Sequence, residues 1–160
     1  MIKRILIVDD SAFMRKILTD HISAVPKIEV IGTARNGEDA LEKIAKFEPD
    51  AITLDVEMPG MDGLETVKEI RKKSDLPVFM VSSLQGSDIT LQALESGATD
   101  FIRKPKNIFE KKQEFQQEIA DRLAILFDKK EKKIQTFSML DQASVIQKET
   151  RAIVIGASTG

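Results

Sequence analysis

Short runs of consecutive apolar residues alternate along this chain with stretches in which apolar side chains recur every three or four positions. Ile5-Leu6-Ile7-Val8 stops at Asp9-Asp10, Ala51-Ile52-Thr53-Leu54 stops at Asp55, and Val78-Phe79-Met80-Val81 stops at Ser82-Ser83. Each run is rich in β-branched or large apolar residues and too short for a helix, the pattern of a strand buried on both faces of a parallel sheet. Ile28-Glu29-Val30-Ile31 and Thr99-Asp100-Phe101-Ile102 are weaker strands. Phe13, Ile17, Leu18 and Ile22 share one face of a helix begun by Ser11. Ala40, Leu41 and Ile44 follow Gly37, Leu64, Val67 and Ile70 follow Gly63, and Ile89, Ala93 and Leu94 precede a helix stop at Gly97. Phe115, Ile119, Leu123 and Leu126 form a stripe on a last, long helix. Five β-α units in succession predict an α/β domain with a parallel sheet and helices on both faces.

The pattern changes after Phe127. Lys129, Lys130, Lys132 and Lys133 surround Glu131, and the polar stretch from Gln135 to Thr150 follows. Residues 128–150 read as a partly helical linker, a solvated tether rather than a basic docking patch. At Arg151 an apolar run restarts, Ala152-Ile153-Val154-Ile155, and enters Gly156-Ala157-Ser158-Thr159-Gly160. Residues 151–160 thus read as the first strand and turn of a second domain, after a first domain of residues 1–127. The length of 160 residues suits one full domain with an appendage.

Composition removes several function classes. A hydrophobic content of 42% with 31% charged residues excludes a wholly disordered or collagen-like chain. Lys plus Arg is 24 against 26 Asp plus Glu, a formal net charge of −2, so the basic footprint of a nucleic-acid or membrane-surface binder is missing. There is no Cys, which removes disulfides and thiolate chemistry and fits a reducing, cytoplasmic setting. The one His, His21, falls on the first helix and reads as an ordinary helix residue. The apolar run after Lys3-Arg4 is too short to span a membrane, and no small-residue cleavage site follows it.

The acids fall where chemistry is done in such folds. Ligands of open α/β sheets bind outside the carboxyl ends of the strands, at the switch point in strand order. Asp is also common after strands as a helix N-cap, so Asp9 alone says little. With Asp9 and Asp10 ending the first strand and Asp55 the third, however, three carboxylates converge if those strands are neighbours. Like charges that close need protons or a cation, and an all-oxygen set suits Mg²⁺. A carboxylate is also a nucleophile in aspartyl-phosphate chemistry, where a metal and further donors steady the phosphoryl oxygens. Lys104, just past the fifth strand, offers a cation, and Ser82, ending the fourth, a hydroxyl. Pro105 allows a cis bond that would aim Lys104 inward.

Asp9-Asp10, Asp55, Ser82 and Lys104, together with the loop Asp55-Val56-Glu57-Met58-Pro59-Gly60-Met61-Asp62-Gly63, resemble the receiver domain of two-component response regulators over residues 2–127. The resemblance implies a flavodoxin-like (βα)5 fold with strand order 2-1-3-4-5. It implies that Asp55 is the phosphoacceptor and that Asp10, with Asp9 alongside and Glu57 through its backbone carbonyl, holds Mg²⁺. Lys104 is then the contact to a phosphoryl oxygen, Ser82 the hydroxyl that turns inward, and Phe101 the coupled aromatic switch. The responding surface would be residues 89–127. A phosphatase with an Asp nucleophile would carry a second Asp at position 57, where this chain has Glu.

Gly156-Ala157-Ser158-Thr159-Gly160 matches G-x-S-x-G after a strand, the turn that exposes a nucleophilic Ser158. On pattern alone a nucleotide-binding turn or a plain turn fits equally well. The Val81-Ser82-Ser83-Leu84 segment, the Glu57-Met58-Pro59 loop and the run Ile153 to Gly160 together resemble the chemotaxis protein-glutamate methylesterase family. There a receiver regulates a serine hydrolase that demethylates receptor glutamates and deamidates receptor glutamines. The resemblance implies a chemotaxis histidine kinase as phosphodonor, methylated chemoreceptors as substrates, and the protein's own catalytic domain as the regulated partner. It assigns Ser158 the nucleophile role. The His and Asp of that family's triad lie downstream of the serine, so the 160 residues are expected to lack hydrolase activity. A receiver controlling DNA binding, or one fused to a nucleotide-binding enzyme, would continue differently after Gly160.

Overall fold

The computed structural model describes residues 1–84 and 86–143, with side chains through Asp128. Ser158 and the 151–160 segment lie outside the described residues. The elements run β1 (Lys3–Val8), α1 (Ala12–Ser23), β2 (Ile28–Ala34), α2 (Gly37–Phe47), β3 (Ala51–Leu54), α3 (Gly63–Arg71), β4 (Val78–Ser82), α4 (Ser87–Ser96), β5 (Asp100–Arg103) and α5 (Lys112–Ala143). The strands form one parallel sheet in the order β2-β1-β3-β4-β5, the flavodoxin-like arrangement expected. Two compact units divide the chain, Met1–Ala120 and a second from Asp121 onward. The sheet lies wholly in the first. Helix α5 continues through residue 143, across the start of the stretch read as a linker.

Alternation along each strand builds two cores. Leu6 and Val8 of β1 belong to a cluster with Ala40 of α2, Val67 and Ile70 of α3, and Ala93 of α4. Ile5 and Ile7 point the other way, where Leu18 and Ile22 of α1 and Phe115 and Ile119 of α5 are also fully buried. Each buried Val, Leu, Ile or Phe side chain contributes about 1.5–3 kcal/mol relative to exposure, which explains why β1, β3 and β4 read as unbroken apolar runs. The outer strand β2 is half-buried and extends through Gly32-Thr33-Ala34, beyond the apolar run that marked it. Helix starts follow the caps: Ser11 accepts from the Met14 N–H, Asn36 from Asp39 N–H at 2.8 Å, and Asp62 from Glu65 N–H at 2.8 Å.

Two helix faces differ from the periodicity. Phe13 is 52% exposed and meets the exposed Phe109 ring at 5.8 Å instead of the core. Leu94 is likewise exposed, while Ala93 carries the buried position of α4.

At the amino edge of the sheet, Arg71 closes the frame. Its guanidinium donates to Gly97 O at 2.8 Å and to Leu76 O at 2.6 Å, joining α3 to the end of α4 and the approach to β4.

His21 is buried, edge-on to Phe115 at 5.8 Å, and its Nε2 has no hydrogen-bond partner. Burial lowers its pKa below the ordinary 6.5, Lys112 lowers it further, and Asp20 opposes both. The unfolded chain therefore binds this proton more readily than the fold does. The associated stability is complete above the ordinary histidine value and is lost as pH falls below it. Replacement His21→Phe is expected to flatten the decline in stability between pH 7 and pH 5. Denaturant melts of both proteins across that range check this, and parallel curves would refute it.

Candidate functional site

Parallel strands end on one edge of the sheet, so residues just past β1, β3 and β5 share that edge with the last residue of β4. Val8 is in register with Leu54, Leu54 with Met80, and Ser82 with Arg103. Three main-chain bonds extend the ladders past the strands: Asp9 N–H to Ala34 O at 3.0 Å, Asp55 N–H to Val8 O at 3.0 Å, and Lys104 N–H to Ser82 O at 2.8 Å. These bonds place Asp9, Asp55, Ser82 and Lys104 side by side.

One carboxylate oxygen from each of Asp9, Asp10 and Asp55 lies within 4.8 Å of the others. Asp9 and Asp55 are buried and Asp10 is exposed. Lys104 Nζ is 2.7 Å from Asp9 Oδ2 and 3.5 Å from Asp55 Oδ1. Asp9 is further satisfied by the Ser11 N–H at 2.9 Å. One ammonium facing three carboxylates leaves net negative charge in a half-enclosed place. Burial pushes the Asp55 carboxyl up to about 7; Lys104 pulls it down, and Asp9 and Asp10 raise it further. An all-oxygen donor set with surplus negative charge fits a hard divalent cation such as Mg²⁺.

The cluster opens on a cleft of about 400 Å³ lined by Asp9, Asp10, Asp55, Glu57, Ser83 and Lys104 among others; of the remaining predicted residues, Ser82 and Phe101 do not line it. Ser82 is fully buried and its Oγ accepts from the Leu84 N–H at 3.1 Å. The side chain that lines the cleft is its exposed neighbour Ser83. Phe101 is buried in the cluster that contains Leu54 and Met80. Lys104 reaches Asp9 with no cis peptide at Pro105, contrary to the expectation that such a bond aims it; the backbone pairing to Ser82 suffices.

Sequence reasoning missed Arg15, whose Nη1 donates to Asp9 O at 2.7 Å and steadies the first carboxylate's main chain. It also missed Ser83. Strand β4 is buried on both faces, so no alternation along it singles Ser83 out.

A raised carboxyl pKa has a definite consequence for stability. Asp55 favours the fold when protonated, so its contribution is full below the ordinary carboxylate value and is lost as pH rises through about 7. In metal-free solution the stability advantage of Asp55→Asn over the parent is expected to widen between pH 5 and pH 8 by roughly 2 kcal/mol. Urea titrations at both pH values read this directly, and a constant gap would contradict the assigned electrostatics.

The family model for the response regulator receiver domain matches residues 5–116. The protein-glutamate methylesterase/protein-glutamine glutaminase of Bacillus licheniformis is 58% identical over 104 residues, covering 64% of this chain and 29% of that protein. The chain therefore spans about three tenths of the length of the curated relatives it matches. The crystal structure of the response regulator domain of Thermotoga maritima CheB superposes with a TM-score of 0.72 at 42% identity, covering 78% of this chain and 95% of that one. The chain in the CheX–CheY–BeF3–Mg complex from Borrelia burgdorferi gives a TM-score of 0.68 at 30% identity, over 78% of this chain and 89% of that one.

Proposed function

This chain belongs to the response regulator receiver family, and from that premise we propose that it is the phosphoryl-accepting switch of a chemotaxis protein-glutamate methylesterase, with Asp55 as the acceptor. The observation that carries the reading is the under-compensated Asp55 carboxylate, held 3.5 Å from Lys104 within a cluster of three acids.

Asp10, Asp9, Asp55 and the Glu57 carbonyl are the groups that would hold Mg²⁺. When bound, the ion supplies positive charge against the phosphoryl oxygens and allows the carboxylates to ionise together. An Asp55 carboxylate oxygen attacks phosphorus, the O–P bond forms, and the P–N bond to a kinase histidine breaks as the imidazole takes up a proton. Lys104 stays paired with Asp9 and turns its remaining donors to a phosphoryl oxygen. Ser82 offers its O–H to another. Phe101, three positions before Lys104, is the aromatic group that follows Ser82.

The name of the relatives favours the methylesterase setting over a DNA-binding or nucleotide-binding output. In the whole protein, Ser158 would be the nucleophile acting on methylated chemoreceptors, and the receiver would restrain its own catalytic domain until phosphorylated, in the cytoplasm. Among the described residues no helix is long and apolar enough to cross a membrane.

A small acyl phosphate with Mg²⁺ is expected to add one phosphoryl group to the parent, mapped by mass to Asp55, and none to Asp55→Asn. Labelling of the variant at the parent's rate would overturn the assignment. Loss of one carboxylate in Asp10→Ala is expected to weaken Mg²⁺ binding by about tenfold. A superimposable Mg²⁺ calorimetric titration would remove Asp10 from the ligand set.

A further inference from the structure

The first residue of helix α3 meets the segment just past β3, where Asp55 lies, through main chain. Gly63, its first residue, is buried directly after the N-cap Asp62. Its N–H donates to the Val56 carbonyl at 2.8 Å. A Cβ at this position would collide with the Asp55 carbonyl oxygen and stand 2.8 Å from the Val56 Cα. Those neighbours are backbone atoms, which no rotamer change moves aside. Gly63 does not have a positive φ, so what the position requires is space rather than glycine's conformational freedom. On its other side the Asp55 peptide is tied by its N–H to Val8 O of β1 at 3.0 Å, one residue before Asp9. The Asp55 main chain is thus clamped between β1 and the first turn of α3.

We infer that Gly63 is a positioning residue for the acidic cluster. Its missing side chain sets where the Asp55–Glu57 main chain lies, and hence how far the Asp55 carboxylate and the Glu57 carbonyl stand from Asp9 and Asp10. The inference rests on the reading of these groups as the Mg²⁺ ligands. Relief of the collision needs a main-chain shift on the order of 1 Å, a displacement that costs about 100-fold at a reacting centre. Mg²⁺ is especially exacting, because it demands near-octahedral oxygen geometry. Gly37 supplies a matched contrast. A Cβ there would press on Thr66 Oγ1 and on Met61 Sδ, side-chain atoms at the α2–α3 contact, with no atom of the Asp55 peptide among them.

The test is a Mg²⁺ titration by calorimetry of the parent, Gly63→Ala and Gly37→Ala, with a thermal melt of each. Gly63→Ala is expected to bind Mg²⁺ at least about tenfold more weakly, while Gly37→Ala, though destabilised, stays within about twofold of the parent. Parent-like affinity in Gly63→Ala overturns the inference, and so does an equal loss in Gly37→Ala. Should Gly63→Ala fail to fold, hydrogen exchange in the unaltered protein decides. The Gly63 amide bonds a carbonyl that lies between two ligand residues, so Mg²⁺ should slow its exchange, and an unchanged rate overturns the inference. A parent that binds no Mg²⁺ overturns the metal reading itself, and this inference with it.

Discussion

One ammonium shared unequally between two buried carboxylates governs the carboxyl edge of this sheet. Lys104 sits at hydrogen-bond distance from Asp9 and nearly an ångström farther from Asp55. Asp9 also holds the Ser11 N–H, so its charge is well satisfied despite near-complete burial. Asp55 has the longer contact and two acidic neighbours, and burial dominates its titration. Removing Lys104 would leave both carboxylates buried and uncompensated, a change that typically costs about 3–5 kcal/mol. The same lysine that keeps the fold tolerable thus leaves one carboxylate short of compensation, and that shortfall favours a divalent cation, whose charge would in turn make a phosphoryl group tolerable there on the proposed reading.

The sheet delivers this pair from positions 95 residues apart in sequence. Parallel order makes the carboxyl ends of β1, β3, β4 and β5 coincide, and the ladder bonds just past the strands fix each main chain before any side chain acts. Arg71 does the corresponding work at the opposite edge, where it holds the turn after α4 and the entry to β4. Strand β5 is therefore registered at both ends, by Thr99 N–H to Val78 O at 2.8 Å and by Lys104 N–H to Ser82 O at 2.8 Å. The reach of Lys104 follows from that registration, without a special peptide geometry at Pro105.

What the sequence made legible follows from where side-chain burial is uniform. Strands covered on both faces leave apolar runs that cannot be mistaken, and an acid that stops such a run marks the strand end, so Asp9, Asp10 and Asp55 were readable together with Lys104. Strand β2 was readable only in part, because an edge strand tolerates Gly32 and Thr33. Phe13 was misread because helical periodicity reports a face, not whether every turn of that face is covered. Ser83, Arg15 and Gly63 escaped for a different reason. Their contacts are to main-chain atoms or to an open cleft, which hydrophobicity records poorly.

The resting contacts of Ser82 show how a charge placed on Asp55 would travel outward. Its Oγ spends acceptor capacity on the Leu84 N–H, which leaves the hydroxyl proton as the donor for a new acceptor in the cleft. Drawing Ser82 toward a phosphoryl oxygen strains the bond to Leu84, and Leu84 packs with Ile89 against the cluster that contains Phe101. The helix entered there is held asymmetrically. Its start at Gly86 has no side-chain cap, whereas its end is closed by the left-handed Gly97 and by the Arg71 bond to Gly97 O. A disturbance at Ser82 would therefore, on the proposed reading, meet the uncapped end of α4 before the end tied down at Arg71. On the proposed reading, a local change in electrostatic compensation would become a change of surface because the two ends of that helix differ in how they are tied down.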